Sequence, residues 1–447
     1  MSYFTRIREN YSKARNRESF SYLYTAVIGL GFFTTAITWA MFNVYMPLYL
    51  EDLLGHLPNP KLIIGSIMVL DNIAAITLQP WVGKVSDNIW SKWGRRMPFI
   101  LIGIPVAAVF FGLLPTFRES LVLLLVIIGG FNIAMALYRA PVVALMPDLV
   151  SKEYRSRGNA VINLLGGVGA LIGLFVMGAI HDSNPILSFV IVSILMLLCL
   201  IVLIFSIREQ KERKDVETRE KVSMFKSVKQ MFVDRDRSLL AVLFAILLWF
   251  FAFNAIETWF STYATRPDLL NISAGSASML LGVYSLTFIM FALPAGLIAK
   301  RIGRKKTILI GLVGLILTMI PLVIFSIVQI PGLRTIVNFL PFNWTWEIII
   351  DGLLLFLGGM FWAFVNVNSI VIVWELAGPS RLGTYTGIYY FFSALAAITS
   401  PVLAGALFDA IGINFLFLYS VVFFIAAFVS TLFIKTTGQE ADETAAK

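Results

Sequence analysis

The chain has 447 residues, of which 58% are hydrophobic and 14% are charged, and its mean hydropathy is +0.84. Soluble domains carry about 25% charged residues, so this composition excludes an ordinary soluble protein and indicates one embedded in lipid. The net charge of +9 does not indicate nucleic acid binding, because the cations lie between apolar segments.

The N-terminal residues "MSYFTRIRENYSKARNRESF" are polar and basic, and the apolar run that follows is too long for a signal peptide, so we expect none. Cys199 is the single cysteine and lies within an apolar run. It can form neither an internal disulfide nor a multi-cysteine metal site, and we expect no metal and no cofactor.

Twelve apolar runs reach about the 20 residues that a helix needs to cross a bilayer. The predicted spans 1 to 12 cover residues 22–50, 62–83, 97–115, 121–146, 158–180, 185–207, 238–263, 275–299, 306–328, 348–375, 383–409 and 413–434. Helices are expected because lipid cannot satisfy exposed backbone groups. The fold class is therefore an all-α membrane protein of twelve transmembrane helices.

The links between spans divide sharply by charge. Alternate links, together with both termini, hold 30 of the 35 lysines and arginines. The positive-inside bias therefore predicts that both termini are cytoplasmic, and we expect a multi-pass protein of the cell membrane. The longest charged stretch, residues 208–237, is interpreted as a cytoplasmic linker between two six-helix bundles at 1–207 and 238–447.

The two halves repeat short strings at matching places. "GKVSDNIWSKWGRR" after span 2 matches "GLIAKRIGRKK" after span 8, "GGFNIAMALYRA" in span 4 matches "GGMFWAFVNVNS" in span 10, and "GAIHD" closing span 5 matches "GALFD" closing span 11. Two parallel six-helix repeats are typical of a transporter whose substrate lies between the halves.

At these residues the chain resembles the major facilitator superfamily. The strings "QPWVGKVSD" and "SKWGRRMPFI", with "YRAPVVALMPDL" in span 4, are similar to the glycoside, pentoside and hexuronide cation symporters, and most closely to their sucrose-proton branch. The resemblance implies two six-helix bundles, a sugar or glycoside substrate and a coupled cation. The acidic pair of the sodium-coupled melibiose carriers has no match, since Ala75 and Gln79 occupy those positions, so protons are the expected ion.

The link after span 2 is predicted to act as a cytoplasmic gate. Gly83 and Gly94 would let two helices turn at the surface, while Arg95 and Arg96 stay in water. Asp87 would accept hydrogen bonds from a neighbouring helix start or from these arginines, and only when the cytoplasmic ends of the halves meet. The alternative is that the link only anchors the topology.

Further gate pairs are predicted at corresponding places in each half. Asp148 would pair with Arg155 or Arg157, and Glu375 would pair with Arg381. Lys300 stands in the second copy where the first has Asp87. We therefore expect an asymmetric gate that depends mainly on the first copy.

Ionisable residues inside the spans are costly, of order 3 kcal/mol each, and are functional candidates. Asp71 precedes Gly83 by twelve residues, about 18 Å along a helix, which places it near mid-membrane. We expect Asp71 to carry a coupling proton, Arg139 to tune it, and Glu257 to help bind substrate. The alternatives are a static Asp71 to Arg139 salt bridge and a packing role for Glu257.

Other polar residues within the sequence are assigned lesser roles. Asp182, Asp351 and Asp409 are placed at outer span ends, where they would reach water, and His56 and His181 are placed in outer loops. Because no nucleophile with a base and no catalytic motif is present, the chain is predicted not to be an enzyme.

Sugar binding needs amide or carboxyl partners for hydroxyls and flat aromatic rings for C–H faces. Besides Glu257, the candidates are Asn43, Asn72, Gln79, Asn254, Trp259, Asn366, Asn368 and Tyr389. Any one aromatic also fits ordinary packing. The function is predicted as proton-coupled sugar or glycoside transport by a monomer, and the alternative is proton-coupled export of amphipathic small molecules.

Overall fold

The computed structural model describes residues 20–207, 209, 237–328, 330–335, 337, 344–377 and 382–434. Within these ranges the chain is mainly helical, and an isolated β bridge joins Ser91 to Gly94. Twelve helices in the described ranges are long and apolar enough to cross a membrane. The all-helical fold class is confirmed.

The helices of the first six spans are Tyr22–Leu54; Pro60–Met68 with Leu70–Asn88; Met97–Leu113; Leu121–Leu149; Arg155–Leu171 with Met177–Ser183; and Pro185–Ser206. The helices of the second six spans are Arg237–Thr265, Ala274–Ile302, Arg304–Ile327, Trp346–Ala377, Leu382–Ile411 and Leu416–Leu432. Span 2 is interrupted at Val69, and span 5 passes through a π-helical turn at Ile172–Val176.

Local signals in the sequence explain several helix starts. The Ser21 hydroxyl accepts the Tyr24 backbone N–H at 3.4 Å, and the Asn184 side chain accepts that of Leu187 at 3.0 Å. Span 2 begins at Pro60 and span 6 at Pro185, which suits the first helical turn because proline has no N–H to leave unpaired there.

The chain turns at a glycine after span 2 and again after span 8. Of Gly83 and Gly94, which were both predicted to form the first turn, only Gly94 does so. Gly94 has φ +108°, and Gly303 in the second copy has φ +92°, a region that disfavours residues with a Cβ. Gly83 lies inside the helix Leu70–Asn88. Its predicted role in the turn is wrong, because the helix continues past it to Asn88.

The chain forms two compact units. Unit 1 comprises residues 1–55, 70–215 and 273–282, and unit 2 comprises residues 56–69, 216–272 and 283–447. Each unit therefore follows one sequence half except for a short segment at the start of span 2 or span 8. The predicted boundaries at 207 and 238 stay a prediction, and the linker lies outside the described residues except for Glu209 and the backbone of Arg237.

The core of unit 1 is an aromatic cluster shared by spans 1, 3, 4 and 6. The rings of Phe42 and Phe131 stack at 5.3 Å, and Phe111 lies 4.7 Å from Phe189. All four rings are buried. In unit 2, span 7 packs against spans 11 and 12, and span 9 packs against span 10.

The links 84–96, 147–157 and 300–306 are rich in lysine and arginine. We call the end of each unit that holds these links its basic end, and the other end its opposite end. The term describes sequence charge alone.

Candidate functional site

Unit 1 brings Asp71 and Arg139 together. Asp71 lies in the first turn of the helix Leu70–Asn88, and its carboxylate accepts the Asn72 backbone N–H at 2.6 Å and the Asn72 side-chain amide at 2.9 Å. The charge of Asp71 acts on the guanidinium of Arg139 in span 4. The two groups predicted to act as a pair are therefore neighbours, and their role in coupling stays a prediction.

Span 2 carries three of the predicted polar residues. Asp71, Asn72 and Gln79 are half-buried, whereas Ile73 and Ile76 between them are exposed. Asn72 and Gln79 are seven residues apart and share one face of the helix, whereas Asp71 lies on the adjoining side. The helix that carries all three packs against span 4.

A comparable face runs along span 7 in unit 2. Phe250, Phe253, Asn254 and Glu257 are half-buried, whereas Phe251, Ile256 and other neighbours are buried. The spacing of these four residues is that of a single helical face. Because an amide and a carboxyl are costly against lipid, this face is a candidate ligand surface.

Phe253 on this face stacks against the buried Trp362 of span 10, a contact that the sequence did not reveal. The rings of Phe253 and Trp362 are 4.5 Å apart and nearly parallel, with an interplanar angle of 3°. Phe250 meets Trp362 edge-on at 5.7 Å. Because 14% of the residues are aromatic, few single rings stand out in the sequence as ligand contacts. Phe250 and Phe253 could be recognised only because they share a helical face with Asn254 and Glu257, and no sequence signal indicated Trp362.

Other predicted substrate residues make internal contacts. Trp259 is 0% exposed and donates its indole N–H to the Pro401 carbonyl at 3.2 Å. The side-chain amide of Asn368 donates to the Phe364 carbonyl at 2.9 Å, and the Tyr389 hydroxyl pairs with Ser369 at 2.9 Å.

The remaining two, Asn43 in unit 1 and Asn366 in unit 2, are half-buried. Asn43 has an interaction partner, and the Asn366 carbonyl accepts the Ser369 hydroxyl. The assignment of these five residues to substrate stays a prediction.

Arg96 is the centre of a buried ionic network at the basic end of unit 1. It is 5% exposed, donates to Asp148 at 2.9 Å and contacts both Asp87 and the Ser86 hydroxyl. Our expectation that Arg96 stays in water is wrong, because carboxylates of spans 2 and 4 enclose it. All these residues belong to unit 1, so the Asp87 contact needs no residue of unit 2.

The same network includes two further groups. Arg95 lies 2.7 Å from Asp148, so Asp148 pairs with both arginines of the link that follows span 2, Arg95 and Arg96. Glu209 accepts the backbone N–H groups of Arg95, Arg96 and Met97 at 2.9 to 3.2 Å. This carboxylate caps the start of span 3, where the helix leaves N–H groups unpaired. Arg157 lies over the Tyr154 ring at 6.0 Å.

The basic end of unit 2 is built more loosely. Arg304 lies 3.4 Å from Glu375, which is 51% exposed, and donates to the Asn368 side chain at 2.8 Å. Arg381, the predicted partner of Glu375, lies outside the described residues. The gate roles of these groups stay predictions.

Repeated aspartates cap helices at the opposite ends. Asp409 accepts the backbone N–H groups of Lys61 and Leu62 at 3.0 and 2.8 Å within unit 2. Asp182 accepts the Gly275 N–H at 2.8 Å and the Ser273 hydroxyl at 2.6 Å within unit 1. The repeat "GAIHD" and "GALFD" marked these residues, and both were expected to reach water. Asp182 is exposed, whereas the side chain of Asp409 is only 4% exposed.

Two further placements differ from expectation. Asp351 is 1% exposed and does not reach water. His181 is buried in the last helix of span 5, where its ring stacks on Tyr45 at 3.8 Å and its Nε2 lies 3.0 Å from the Tyr49 hydroxyl. Both errors arise because proximity to a span end does not determine whether a neighbouring helix covers the side chain.

Among the described residues, no group of three or more His, Cys, Asp and Glu side chains is arranged to hold a metal ion.

Comparison with known proteins shows a family match along most of the chain. Residues 28–340 and 267–447 match the Major Facilitator Superfamily. The chain is 27% identical over 157 residues to an uncharacterized symporter of Synechocystis sp., covering 33% of this chain and 28% of that protein.

It is also 24% identical to the class B tetracycline resistance protein of Escherichia coli, covering 59% of this chain and 62% of that protein. It is 25% identical to the multidrug resistance protein MdtG of Escherichia coli, covering 70% of this chain and 74% of that protein. The chain thus spans less than two thirds of the symporter and of the tetracycline resistance protein.

Solved structures share the fold. The nucleoside transporter NupG has a TM-score of 0.65 at 14% identity, covering 92% of this chain and 97% of that one. A bacterial homolog of the human lysosomal transporter Spinster has a TM-score of 0.67 at 12% identity, covering 92% of this chain and 97% of that one.

Proposed function

Because the chain belongs to the major facilitator superfamily of membrane transporters, we propose that it couples proton movement to the transport of a sugar or glycoside. The observation that carries the proposal is the proximity of Asp71 and Arg139 within two apolar spans of unit 1. An acid and a guanidinium are costly to place in a membrane, so such a pair is a candidate for a functional role.

The pair offers a physical route to coupling. Loss of water favours the neutral form of a carboxyl group, whereas a nearby guanidinium favours its anion. Alternating hydration of Asp71 would therefore load and release a proton, with Arg139 holding the anion after release. Asn72 donates two hydrogen bonds to the same carboxylate, which also supports its charged form.

The span 7 face in unit 2 supports a saccharide as the transported solute. Phe253 is a half-buried ring that stacks on the buried Trp362, and the C–H face of a sugar ring can pack on such an aromatic ring. Asn254 and Glu257 lie on the same helical face and offer partners for hydroxyls. One Asn254 amide N–H already donates to the Phe250 carbonyl at 2.7 Å, so the oxygen and the second N–H are the groups offered to a ligand.

We propose further that the protein lies in the cell membrane as a monomer with both termini in the cytoplasm. The sequence distribution of cations supports this orientation, since 30 of 35 lie on one set of links. The ionic network around Arg96 would then stabilise the cytoplasmic end of unit 1 as part of a gate.

The second candidate function is proton-coupled export of amphipathic small molecules. It is favoured by the similarity to the tetracycline and multidrug resistance proteins and by the aromatic character of the span 7 face. An acid beside aromatic rings can bind a lipophilic cation as readily as a polyol.

The test is uptake of radiolabelled mono- and disaccharides into proteoliposomes with an imposed pH gradient. We expect accumulation that a protonophore abolishes, and Glu257→Gln should weaken saccharide binding about tenfold or more through loss of a charged hydrogen bond. Asp268→Asn, an acid between spans 7 and 8, is the matched control and should bind normally. Transport and thermal stabilisation by lipophilic cations, with no response to any saccharide, would select the second candidate instead.

A further inference from the structure

A buried pair of acids lies at the start of span 10 in unit 2. Asp351 is 1% exposed and Glu347, four residues earlier, is 5% exposed. Residues four apart share one face of a helix, so the two carboxyl groups are neighbours. The charge of Glu347 acts on Asp351, as this spacing predicts.

Only one of the two acids has a cationic partner. The Arg334 guanidinium lies 3.1 Å from Glu347 Oε2 and also donates to the Leu269 carbonyl at 3.3 Å. Within the described part of the chain, neither carboxyl oxygen of Asp351 has a hydrogen-bond partner. The two acids therefore differ in environment although they lie one helical turn apart.

The surrounding groups do not balance a second negative charge. Tyr263 on span 7 is 1% exposed and lies within reach of the charges of Asp351, Glu347 and Arg334. A phenol is neutral at physiological pH, and among the described residues Arg334 is the cation found beside these acids. With both carboxyl groups ionised, the cluster would hold one uncompensated buried charge, which is strongly unfavourable.

We propose that Asp351 is a proton-binding site, at which the carboxyl group is held as the neutral acid. A bound proton leaves Glu347 and Arg334 as a matched ion pair and removes the uncompensated charge. A metal cation fits less well, because hard cations take about six or more oxygen ligands, and the described residues include no group of three acidic or ligating side chains.

This site is separate from Asp71. Asp351 belongs to unit 2 and Asp71 to unit 1. The burial of Asp351 and its lack of a cationic partner do not depend on whether the protein transports a solute. The inference can therefore fail while the proposed function stands, and the reverse also holds.

Infrared difference spectroscopy of the full-length protein at neutral pH tests the proposal. We expect the wild type to show the carbonyl stretching band of a protonated carboxylic acid, and Asp351→Asn to lose that band. Glu347→Gln leaves Arg334 to balance Asp351, so it should weaken the band. Asp268→Asn is the control, because it alters an exposed acid outside the cluster; it should keep the band. Absence of the band in the wild type, or its persistence at full intensity in Asp351→Asn, overturns the proposal.

Two further arms keep the test decisive. If Asp351→Asn does not fold, exchange of the wild type into D₂O must still shift the band, as an exchangeable acid proton requires, and Glu347→Gln must weaken it. Loss of the band on addition of sodium chloride, with no loss on potassium chloride, would assign the site to sodium and contradict the proton assignment.

Discussion

The two units carry similar sequence motifs at their basic ends but hold them in different ways. In unit 1, Arg96 is enclosed by Asp87, Asp148 and Ser86, and its side chain is 6% exposed. In unit 2, the side chain of Arg304 is 22% exposed and meets Glu375 at 3.4 Å. Arg96 thus occupies a buried environment, whereas Arg304, which aligns with Arg95 in the repeat, occupies a half-buried one.

The difference shows what a short motif determines and what its neighbours determine. Both links turn at a glycine with positive φ, Gly94 and Gly303, because that requirement is local. The ionic partners are not local. Lys300 occupies the place of Asp87 in the second copy, so the acid that helps enclose Arg96 has no counterpart beside Arg304.

The largest expected effect comes from breaking the buried network. Arg96→Met leaves the buried Asp148 with less compensation and removes the partner of the half-exposed Asp87, so we expect the free energy of unfolding to fall by about 3–5 kcal/mol. Denaturant unfolding of the purified protein in detergent measures this loss. A fall below about 1 kcal/mol, the value typical of exposed pairs, would mean that the two links do not differ as described.

The next effect tests the helix cap that unit 1 has beside its network. Glu209→Ala removes a carboxylate that accepts three backbone N–H groups at the start of span 3, and we expect a loss of about 1–2 kcal/mol. The start of span 9 in unit 2 has no side-chain cap at Gly303. If Glu209→Ala is as stable as the wild type, the Glu209 carboxylate does not stabilise the start of span 3, and the cap is not a difference between the two units.

A smaller effect is expected in unit 2. Glu375→Gln removes the half-exposed partner of Arg304 and leaves the Arg304 hydrogen bond to Asn368 in place. We expect a change of at most about 1 kcal/mol, diminished by salt. The same unfolding measurement at low and high ionic strength checks this, and a loss as large as that of Arg96→Met would contradict the asymmetry.

The smallest effect provides an exposed reference pair. Hydrogen bonds from Arg266 lower the pKa of Asp268, which lies between spans 7 and 8. A lowered pKa stabilises the folded state above the ordinary value of about 3.9, and this contribution disappears as the pH falls through the lowered pKa. The stability difference between wild type and Asp268→Asn should therefore be small at neutral pH and vanish in acid. If the stability difference between wild type and Asp268→Asn grew as the pH fell, the pKa of Asp268 would be raised in the folded state and the prediction would be wrong.

The sequence predicted the helices well, because span length and apolarity follow directly from the thickness of the bilayer. It also predicted that Asp71 and Arg139 would be neighbours, because the rise per residue placed both inside the membrane on adjacent spans. Gly83 was assigned to a turn in error, since a glycine within a helix and one at its end look alike in sequence.

Burial was the property that the sequence did not determine. Arg96 and Asp351 were placed in water because each lies near a span end, yet side chains from other helices cover them. The partners of Asp182 and Asp409 were likewise hidden, since each binds residues more than 90 positions away in sequence. Tertiary contacts between distant segments decide such environments, and one sequence does not reveal them.

The most direct test of the account is transport by Asp71→Asn in proteoliposomes, compared with the wild type. If the Asp71 carboxyl carries the coupled proton, the variant should exchange labelled solute across the membrane at zero gradient but fail to accumulate it under a pH gradient. Accumulation driven by the pH gradient at the wild-type level in Asp71→Asn would contradict the account.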